Sequence, residues 1–182
     1  MSHSNSAAAQ CLVSNLALIK GLGHDPEVLD LACGNGRNGL FLARHNVFVI
    51  FADSNEVAIQ SISEKLRGNG LKGECWRVDF EEAGSQPLQG RLFDAVMVFN
   101  YLHRPLLNSI KQAIRPGGLI IYETFTVKQR EFGRPGNPDF LLQPAELRKA
   151  FGDWEILQDF EGEMTSPRRA VASLIARRPG LT

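Results

Sequence analysis

A glycine-rich turn with acidic residues on either side is the part of the sequence best suited to bind a ligand. Residues 34–39 read Gly-Asn-Gly-Arg-Asn-Gly, and Asp53 follows 19 residues after Gly34. Glycines let the backbone turn sharply and approach a ligand, and a carboxylate at the end of the next strand can bind a ribose diol. Any cofactor that contains a nucleoside needs these two features. The pattern therefore predicts a nucleoside-cofactor site without choosing the cofactor.

The charge of Asp30 favours one class of cofactor over dinucleotides. Asp30 lies four residues before Gly34. A negative charge opposes the binding of a pyrophosphate at a helix N-terminus, whereas it favours a sulfonium or an ammonium group. The chain also ends in two strand-like segments that read as an antiparallel pair, which a plain dinucleotide-binding fold does not require. An NAD-dependent oxidoreductase is therefore the weaker alternative.

Further polar residues follow predicted strands, where open α/β sheets bind their ligands. Asp53 closes an apolar strand; its alternative role is a helix N-cap, which Ser54 or Asn55 would fill equally well. Tyr101 and His103 follow the fourth strand and are the candidate catalytic residues. His103 is suited to act as a general base, but a solvated turn residue is an equally good interpretation.

Alternating strand-like and helix-like segments predict the framework that positions these residues. The apolar run Val47–Ala52 is typical of a parallel strand that is covered on both faces. Helices are expected at about 8–19, 39–44, 54–68, 105–114 and after Pro144. Strands are expected at 27–32, 47–52, 74–78, 93–99, 119–124, 154–160 and 170–176, the last two joined by the loop 161–169. This order predicts a doubly wound α/β fold.

The remaining segments contain no second domain. Residues 1–7 read as a polar N-terminal tail, and residues 8–182 as one domain. The stretch 125–142 is rich in glycine and proline and is expected to be irregular. It contains three phenylalanines with Lys128, Arg130 and Arg134, and it either covers a substrate or completes the core under the sheet.

Residues Val28–Gly36 resemble motif I of the class I S-adenosylmethionine-dependent methyltransferases. The resemblance extends from about Pro26 to Arg177, because further motifs of that family recur in order. These motifs are Ala52-Asp53, Val78-Asp79-Phe80, Phe93-Asp94-Ala95-Val96 and Arg115-Pro116-Gly117-Gly118. Residues 132–140 are similar to a stretch of small bacterial members akin to the tellurite-resistance methyltransferases.

The resemblance implies a fold, a cofactor and a set of binding residues. The fold is a single-domain, Rossmann-like sheet of seven strands in the order 3-2-1-4-5-7-6, the seventh antiparallel, with helices on both faces. The cofactor is S-adenosylmethionine, which leaves as S-adenosylhomocysteine. Asp30 faces its amino end, Asp53 its ribose, and Asp79 with Phe80 its adenine. The expected cofactor-binding residues are Asp30, Ala32, Gly34, Gly36, Asp53, Ser54, Asp79, Phe80 and Asn100.

Two departures from the family pattern bear on structure and substrate. Ala32 replaces the first glycine of motif I, a change that is tolerated if its φ is negative. Asn100–His103 stands where amino-directed DNA and RNA methyltransferases carry Asn-Pro-Pro-Tyr, and no Pro-Cys or Thr-Cys pair follows that strand. The first observation weighs against amino-directed methylation of nucleic acid, and the second against cysteine-mediated methylation of cytosine C5.

Composition bears on which classes of binding partner are expected. Twenty basic and twenty acidic residues cancel, so no long-range field attracts nucleic acid or an anionic membrane. The three cysteines have no metal-ligand spacing, and Cys33 is expected to be a packing residue. No apolar run approaches the roughly 20 residues of a membrane helix, and no secretion signal begins the chain, so a cytoplasmic protein is expected.

The sequence therefore predicts methyl transfer to a small-molecule acceptor. Because such a transfer is a direct displacement, positioning alone contributes much of the rate and no catalytic base is required by the pattern. The alternatives are an RNA methyltransferase and a non-catalytic subunit that binds S-adenosylmethionine. The acceptor and the oligomeric state stay open at this level.

Overall fold

The computed structural model describes residues 7–180, which form a seven-stranded sheet in the order β3-β2-β1-β4-β5-β7-β6. The neighbours β1–β2, β2–β3, β1–β4 and β4–β5 are parallel, and β7 is antiparallel to both β5 and β6. The strands are β1 (Glu27–Leu31), β2 (Phe48–Asp53), β3 (Gly73–Arg77), β4 (Phe93–Phe99), β5 (Ile114–Phe125), β6 (Glu155–Thr165) and β7 (Arg168–Arg177). The predicted strand order and the antiparallel seventh strand are confirmed.

Helices cover both faces of this sheet. They are α1 (Gln10–Ser14), α2 (Leu16–Lys20), α3 (Arg37–Arg44), α4 (Glu56–Gly68), α5 (Leu107–Gln112) and α6 (Glu146–Ala150), with short 3-10 helices at Arg104–Leu106, Val127–Glu131 and Pro138–Phe140. Leu12, Leu42 and Ile62 pack with one set of alternate strand residues, and Ile110 and Phe151 pack with the other. Burial on both faces explains why the central strands are almost wholly apolar.

The N-terminal helix predicted at 8–19 is interrupted at Asn15, between α1 and α2. The Asn15 side chain donates to the Cys11 carbonyl oxygen at 2.8 Å and to Gln158 Oε1 at 2.7 Å. An asparagine side chain that bonds to a backbone carbonyl competes with the helical hydrogen-bond pattern. The amphipathic period was therefore correct, and the helix is interrupted at the residue whose side chain contacts both Cys11 and the distant β6.

Strand β5 begins earlier than expected. Ile114, predicted as the last apolar residue of a helix, pairs instead with Phe93 and opens the strand. The register between β4 and β5 shifts before Ala95 pairs with Leu119, so residues 115–118 form an irregularity within the strand rather than a separate turn before it.

The last two strands are also longer than expected. The residues 161–169, predicted as a loop, are mostly paired, and Thr165 lies opposite Arg168 across a two-residue turn. Strand β6 is the edge of the sheet and is mostly exposed, and the acidic residues at 161 and 163 made its continuation beyond residue 160 look like a solvated loop. Charged residues on an edge strand also discourage pairing with other chains.

The predicted tail 1–7 lies outside the described residues except for Ala7. Within residues 7–180, no helix is long and apolar enough to cross a membrane.

Candidate functional site

The glycine turn after β1 needs glycine at three positions for different reasons. Gly34 and Gly36 have φ values of +54° and +74°, which side chains rarely adopt. At Gly39 a Cβ atom would lie 2.3 Å from Phe51 Cε1 and 2.7 Å from Asp30 Oδ2. The first two glycines therefore shape the turn, and the third lets α3 pack closely against β2.

Asp53 links the end of β2 to the glycine turn. Its Oδ2 accepts a hydrogen bond from the Gly34 N–H at 2.8 Å, and its Oδ1 accepts one from the Asn55 N–H at 2.9 Å. The N-cap of α4 is Asn55, whose side chain accepts from the Ala58 N–H at 3.1 Å. Asp53 is thus not the helix cap, and its carboxylate stays at the end of the strand.

Asp30 lies beneath the turn and is 2% exposed. Its Oδ2 accepts a hydrogen bond from the Gly39 N–H at 2.9 Å, which holds the first turn of α3 against β1. Burial is the main cause that raises the pKa of Asp30 to about 7, although the hydrogen bond from Gly39 and the nearby Arg37 act in the opposite direction.

Two neighbouring strands are followed by non-glycine residues in the left-handed conformation. Ala32 follows β1 with φ +52°, and Asn100 follows β4 with φ +56°. The condition under which alanine would be tolerated without strain, a negative φ, is therefore not met: the alanine adopts a left-handed conformation, which glycine adopts more readily. Such residues cost on the order of 1–3 kcal/mol each and concentrate at functional sites.

These strand ends enclose a cleft of about 250 Å³. Asp79 lies on its rim, and its Oδ1 accepts from the Glu81 N–H at 2.9 Å. Phe80 is buried and packs edge-to-face on Trp76, with ring centroids 5.8 Å apart. The cleft is lined by Ala32, Asp53, Ser54, Val78, Asp79, Phe80, Glu81, Asn100 and Tyr101.

The structure thus brings most of the expected cofactor residues to one cleft. Asp30, Gly34 and Gly36 are not among its lining residues; they support it through the turn. Sequence reasoning missed Val78 and Glu81, although both flank the Asp79-Phe80 motif that it did identify.

The two candidate catalytic residues differ in placement. Tyr101 lines the cleft. His103 lines neither this cleft nor the smaller cavity beside it, which is described next, and it precedes the 3-10 helix Arg104–Leu106. The buried Tyr101 hydroxyl has no hydrogen-bond partner among residues 7–180. Burial, with the nearby Glu81 carboxylate, raises the pKa of Tyr101 far above its ordinary value. The Tyr122 hydroxyl, which sequence reasoning also missed, donates to the Tyr101 carbonyl oxygen at 3.0 Å and fixes its backbone.

A smaller cavity of about 130 Å³ adjoins the cleft, and we call it the side pocket. It shares Glu81, Asn100 and Tyr101 with the cleft. Its other lining residues are Leu102, Phe125, Pro135 and Phe140. The irregular segment 125–140 therefore closes one side of this pocket.

Phe132 and Arg134 of the same segment are not lining residues of the side pocket. The Arg168 guanidinium stacks on the Phe132 ring at 4.5 Å, and the Arg134 carbonyl oxygen accepts from Gln129 Nε2 at 3.1 Å. These two residues support the segment from outside the pocket.

A larger groove, of about 700 Å³, lies at the opposite edge of the sheet, where the parallel strands begin. Arg115 there contacts Asp94 at 3.2 Å and Glu27 at 3.6 Å. Because ligands of open α/β sheets bind at the carboxyl ends of the strands, size alone does not identify the site.

The family model of a methyltransferase domain matches residues 28–118, half of the chain. The chain belongs to this methyltransferase family. The match contains the glycine turn, Asp53, Asp79 and the residues after β4. It confirms the predicted resemblance, enzyme class and methyl donor at the level of the family.

Two curated relatives show how far the likeness extends. A probable S-adenosyl-L-methionine-dependent methyltransferase TehB of Haemophilus influenzae is 29% identical over 138 residues, which cover 72% of this chain and 47% of that protein. A ribosomal RNA small subunit methyltransferase C of Alcanivorax borkumensis is 30% identical over 109 residues, or 54% of this chain and 32% of that protein. The methyltransferase chain thus spans about half the length, or less, of these relatives.

Solved structures share the fold. The crystal structure of TehB from Haemophilus influenzae superposes with a TM-score of 0.77 at 23% identity and covers 97% of this chain and 64% of that one. Magnesium protoporphyrin IX methyltransferase of Synechocystis PCC 6803, solved with bound SAH, gives 0.68 at 17% identity and covers 93% and 82%. These likenesses confirm the predicted sheet.

Proposed function

We propose that this chain transfers a methyl group from S-adenosylmethionine to a small molecule held in the side pocket. The observation that carries the proposal is that two cavities meet at Glu81, Asn100 and Tyr101. The 250 Å³ cleft has the acidic and backbone groups that a nucleoside needs, whereas the 130 Å³ side pocket is smaller than the roughly 300–1,000 Å³ of drug-sized sites.

The residues at the cleft fit the proposed cofactor. Asp53 binds the ribose hydroxyls, because each of its oxygens has lone-pair capacity beyond the backbone N–H that it already accepts. Asp79 and the backbone at Phe80 bind the adenine, and Gly34 lets the backbone approach the methionine part. Asp30 acts from beneath, where it accepts the Gly39 N–H and holds α3 in place.

The chemistry then depends on position. S-adenosylmethionine supplies an electrophilic methyl group when it is bound. The hydrogen bond from Tyr122 fixes the backbone at Tyr101, and Asn100 and Tyr101 line both cavities, so these two residues lie between the donor site and the acceptor site. Orientation of this kind contributes about 7–11 kcal/mol to lowering a barrier. No histidine is required, which agrees with the location of His103.

Transfer of labelled methyl groups into fractionated cell extract tests the acceptor class. We expect incorporation in the small-molecule fraction rather than in RNA or protein. Label confined to RNA would support the RNA alternative, to which the ribosomal RNA methyltransferase relative draws attention. Binding of S-adenosylhomocysteine without incorporation in any fraction would support a non-catalytic subunit.

The substitution Asp53→Ala tests the cofactor site. Loss of charge-assisted hydrogen bonds costs about 1.5–3 kcal/mol, which corresponds to roughly a ten- to hundred-fold weaker affinity for S-adenosylhomocysteine in calorimetric titration. Asp94→Ala is the matched control, because Asp94 also accepts a backbone N–H, from Glu27, but at the opposite edge of the sheet. Equal affinities of the Asp53→Ala variant and wild type would contradict the assignment.

A further inference from the structure

The side pocket has a lining that selects among acceptor chemistries. Its walls are largely apolar and aromatic, from Leu102, Phe125, Pro135, Phe140 and the ring of Tyr101. Phe140 is 48% exposed, so part of its ring is accessible to a ligand in the pocket. Aromatic walls bind apolar groups and, through the negative faces of their rings, cations.

The only charged side chain among the lining residues is acidic. Glu81 reaches the region of the Tyr101 hydroxyl, where its charge acts on that group. Among residues 7–180, no lysine or arginine lines the pocket. The neighbouring Arg104 is engaged elsewhere, with Glu146 at 2.6 Å and the carbonyl oxygens of Asp139 and Leu141. An anionic acceptor would therefore meet a carboxylate and no available cation.

A polar group without a partner completes the pocket. The Tyr101 hydroxyl is buried and has no hydrogen-bond partner within residues 7–180. Leaving a buried donor unsatisfied is unfavourable, so a ligand that bonds to it gains affinity. A ligand that carries a hydrogen-bonding nitrogen next to an apolar body would satisfy this hydroxyl and face Glu81 at the same time.

We propose that the side pocket takes a small primary or secondary amine as the methyl acceptor. This inference rests on the proposed function. The nitrogen lone pair forms the new C–N bond, the C–S bond of the donor breaks with its electron pair remaining on sulfur, and the proton released from nitrogen passes to Glu81 or to water. The aromatic walls hold the substituent of the amine, and the Tyr101 hydroxyl orients its nitrogen.

Binding to the protein saturated with S-adenosylhomocysteine tests the inference without turnover. The probes are n-butylamine, 1-butanol, 1-butanethiol and butyrate, which share one carbon chain, together with the unreactive cation tetramethylammonium. We expect n-butylamine and tetramethylammonium to bind at least ten-fold more tightly than the others. Preferential binding of butyrate, butanol or butanethiol would overturn the amine assignment.

Variants separate the pocket from the cofactor cleft. Phe140→Ala, whose ring lines the side pocket but not the cleft, should weaken n-butylamine binding about ten-fold or more, while S-adenosylhomocysteine affinity changes less than about three-fold. Glu81→Gln, at the wall that both cavities share, should also weaken n-butylamine binding about ten-fold or more. Phe160→Ala on β6 is the matched control, since Phe160 is 42% exposed and lies outside the pocket. Unchanged amine binding in both pocket variants would overturn the inference. Failure of wild type to bind S-adenosylhomocysteine would instead overturn the proposed function itself.

The pH profile of turnover gives a second readout. Because only the neutral amine has a free lone pair, kcat/KM for the amine should rise with pH toward the pKa of that amine. A series of amines with different pKa values should move the profile accordingly. A profile independent of the amine chosen would contradict direct attack by nitrogen.

Discussion

The two edges of the sheet differ in what their acidic side chains bind. At the edge where the parallel strands begin, Asp94 and Glu27 both contact Arg115. At the edge where they end, Asp53 and Asp79 accept hydrogen bonds from backbone N–H groups, and within residues 7–180 neither forms an ion pair. The carboxylates of the first edge are thus paired with a cation, whereas those of the second edge can still bind the hydroxyl or cationic groups of a ligand.

Non-glycine residues in the left-handed backbone conformation also differ between the two edges. Asn46 lies at the beginning edge with φ +63°, just after α3, where asparagine commonly ends a helix. Ala32 and Asn100 lie at the other edge, directly after strands, where no helix end accounts for their left-handed conformation. Backbone strain is thus found at the smaller cleft, whereas the left-handed residue at the larger groove is an ordinary helix end. Strain and incomplete pairing identify a site better than volume does.

The ion pairs of the two edges provide the largest expected difference. Glu123 and Arg169, 3.0 Å apart beside the end of β4, have side chains that are 4% and 16% exposed, whereas Arg115 and Asp94 are 41% and 28% exposed. Arg169→Ala leaves a buried carboxylate without its partner and should lower the free energy of unfolding by about 3–5 kcal/mol. Arg115→Ala should lower it by about 1 kcal/mol or less.

Urea denaturation at pH 7 measures both losses, and the double variant Arg169→Ala/Glu123→Gln provides the internal check. Because it removes the isolated charge, it should recover part of the stability that Arg169→Ala loses. Similar losses for Arg169→Ala and Arg115→Ala would mean that burial does not distinguish the two pairs.

The next largest expected difference is in how Asp30 and Asp94, at the two edges, affect the pH dependence of stability. Burial raises the pKa of Asp30 to about 7, so the folded protein retains this proton to a higher pH than the unfolded chain does. The contribution of Asp30 to the free energy of unfolding therefore falls as pH rises from about 4 to about 7, by at most about 1.4 kcal/mol per pH unit. Asp30→Asn should remove this part of the slope, and Asp94→Asn should retain it. Parallel pH curves of wild type and Asp30→Asn would contradict the shift.

Strand ends explain why much of the site could be predicted from sequence. Asp53 and Asp79 each follow a strand-like segment, and the carboxyl ends of parallel strands meet at one edge. The residue pattern therefore predicted Asp53, and the resemblance to the family predicted Asp79 and Phe80. Glu81 escaped prediction because an exposed acidic residue in a polar loop looks like any solvated charge, and only the folded loop brings it beside Tyr101.

Contacts between distant segments explain the remaining differences. The helix break at Asn15 depends on Gln158, and the choice of strand over helix at Ile114 depends on Phe93. Neither partner is visible from a local period. Likewise, the placement of Phe132 under Arg168 rather than in the side pocket is set by β7, although its type and segment were those of a substrate-covering residue.

The left-handed residues give the smallest expected effect and the most direct test of strain. Ala32→Gly should raise the free energy of unfolding by up to about 1 kcal/mol, because glycine adopts φ +52° without the steric cost that alanine bears, and its greater freedom in the unfolded chain offsets part of that gain. Asn46→Gly should change stability by only a few tenths of a kcal/mol, since asparagine tolerates this conformation. Thermal and urea unfolding of both variants measure these changes.

If Ala32→Gly loses stability, the packing of the Ala32 methyl group against the core outweighs its backbone strain, and packing explains why alanine replaces the family glycine. If both variants gain equally, the two edges do not differ in strain, and only the unpaired acids distinguish the cleft.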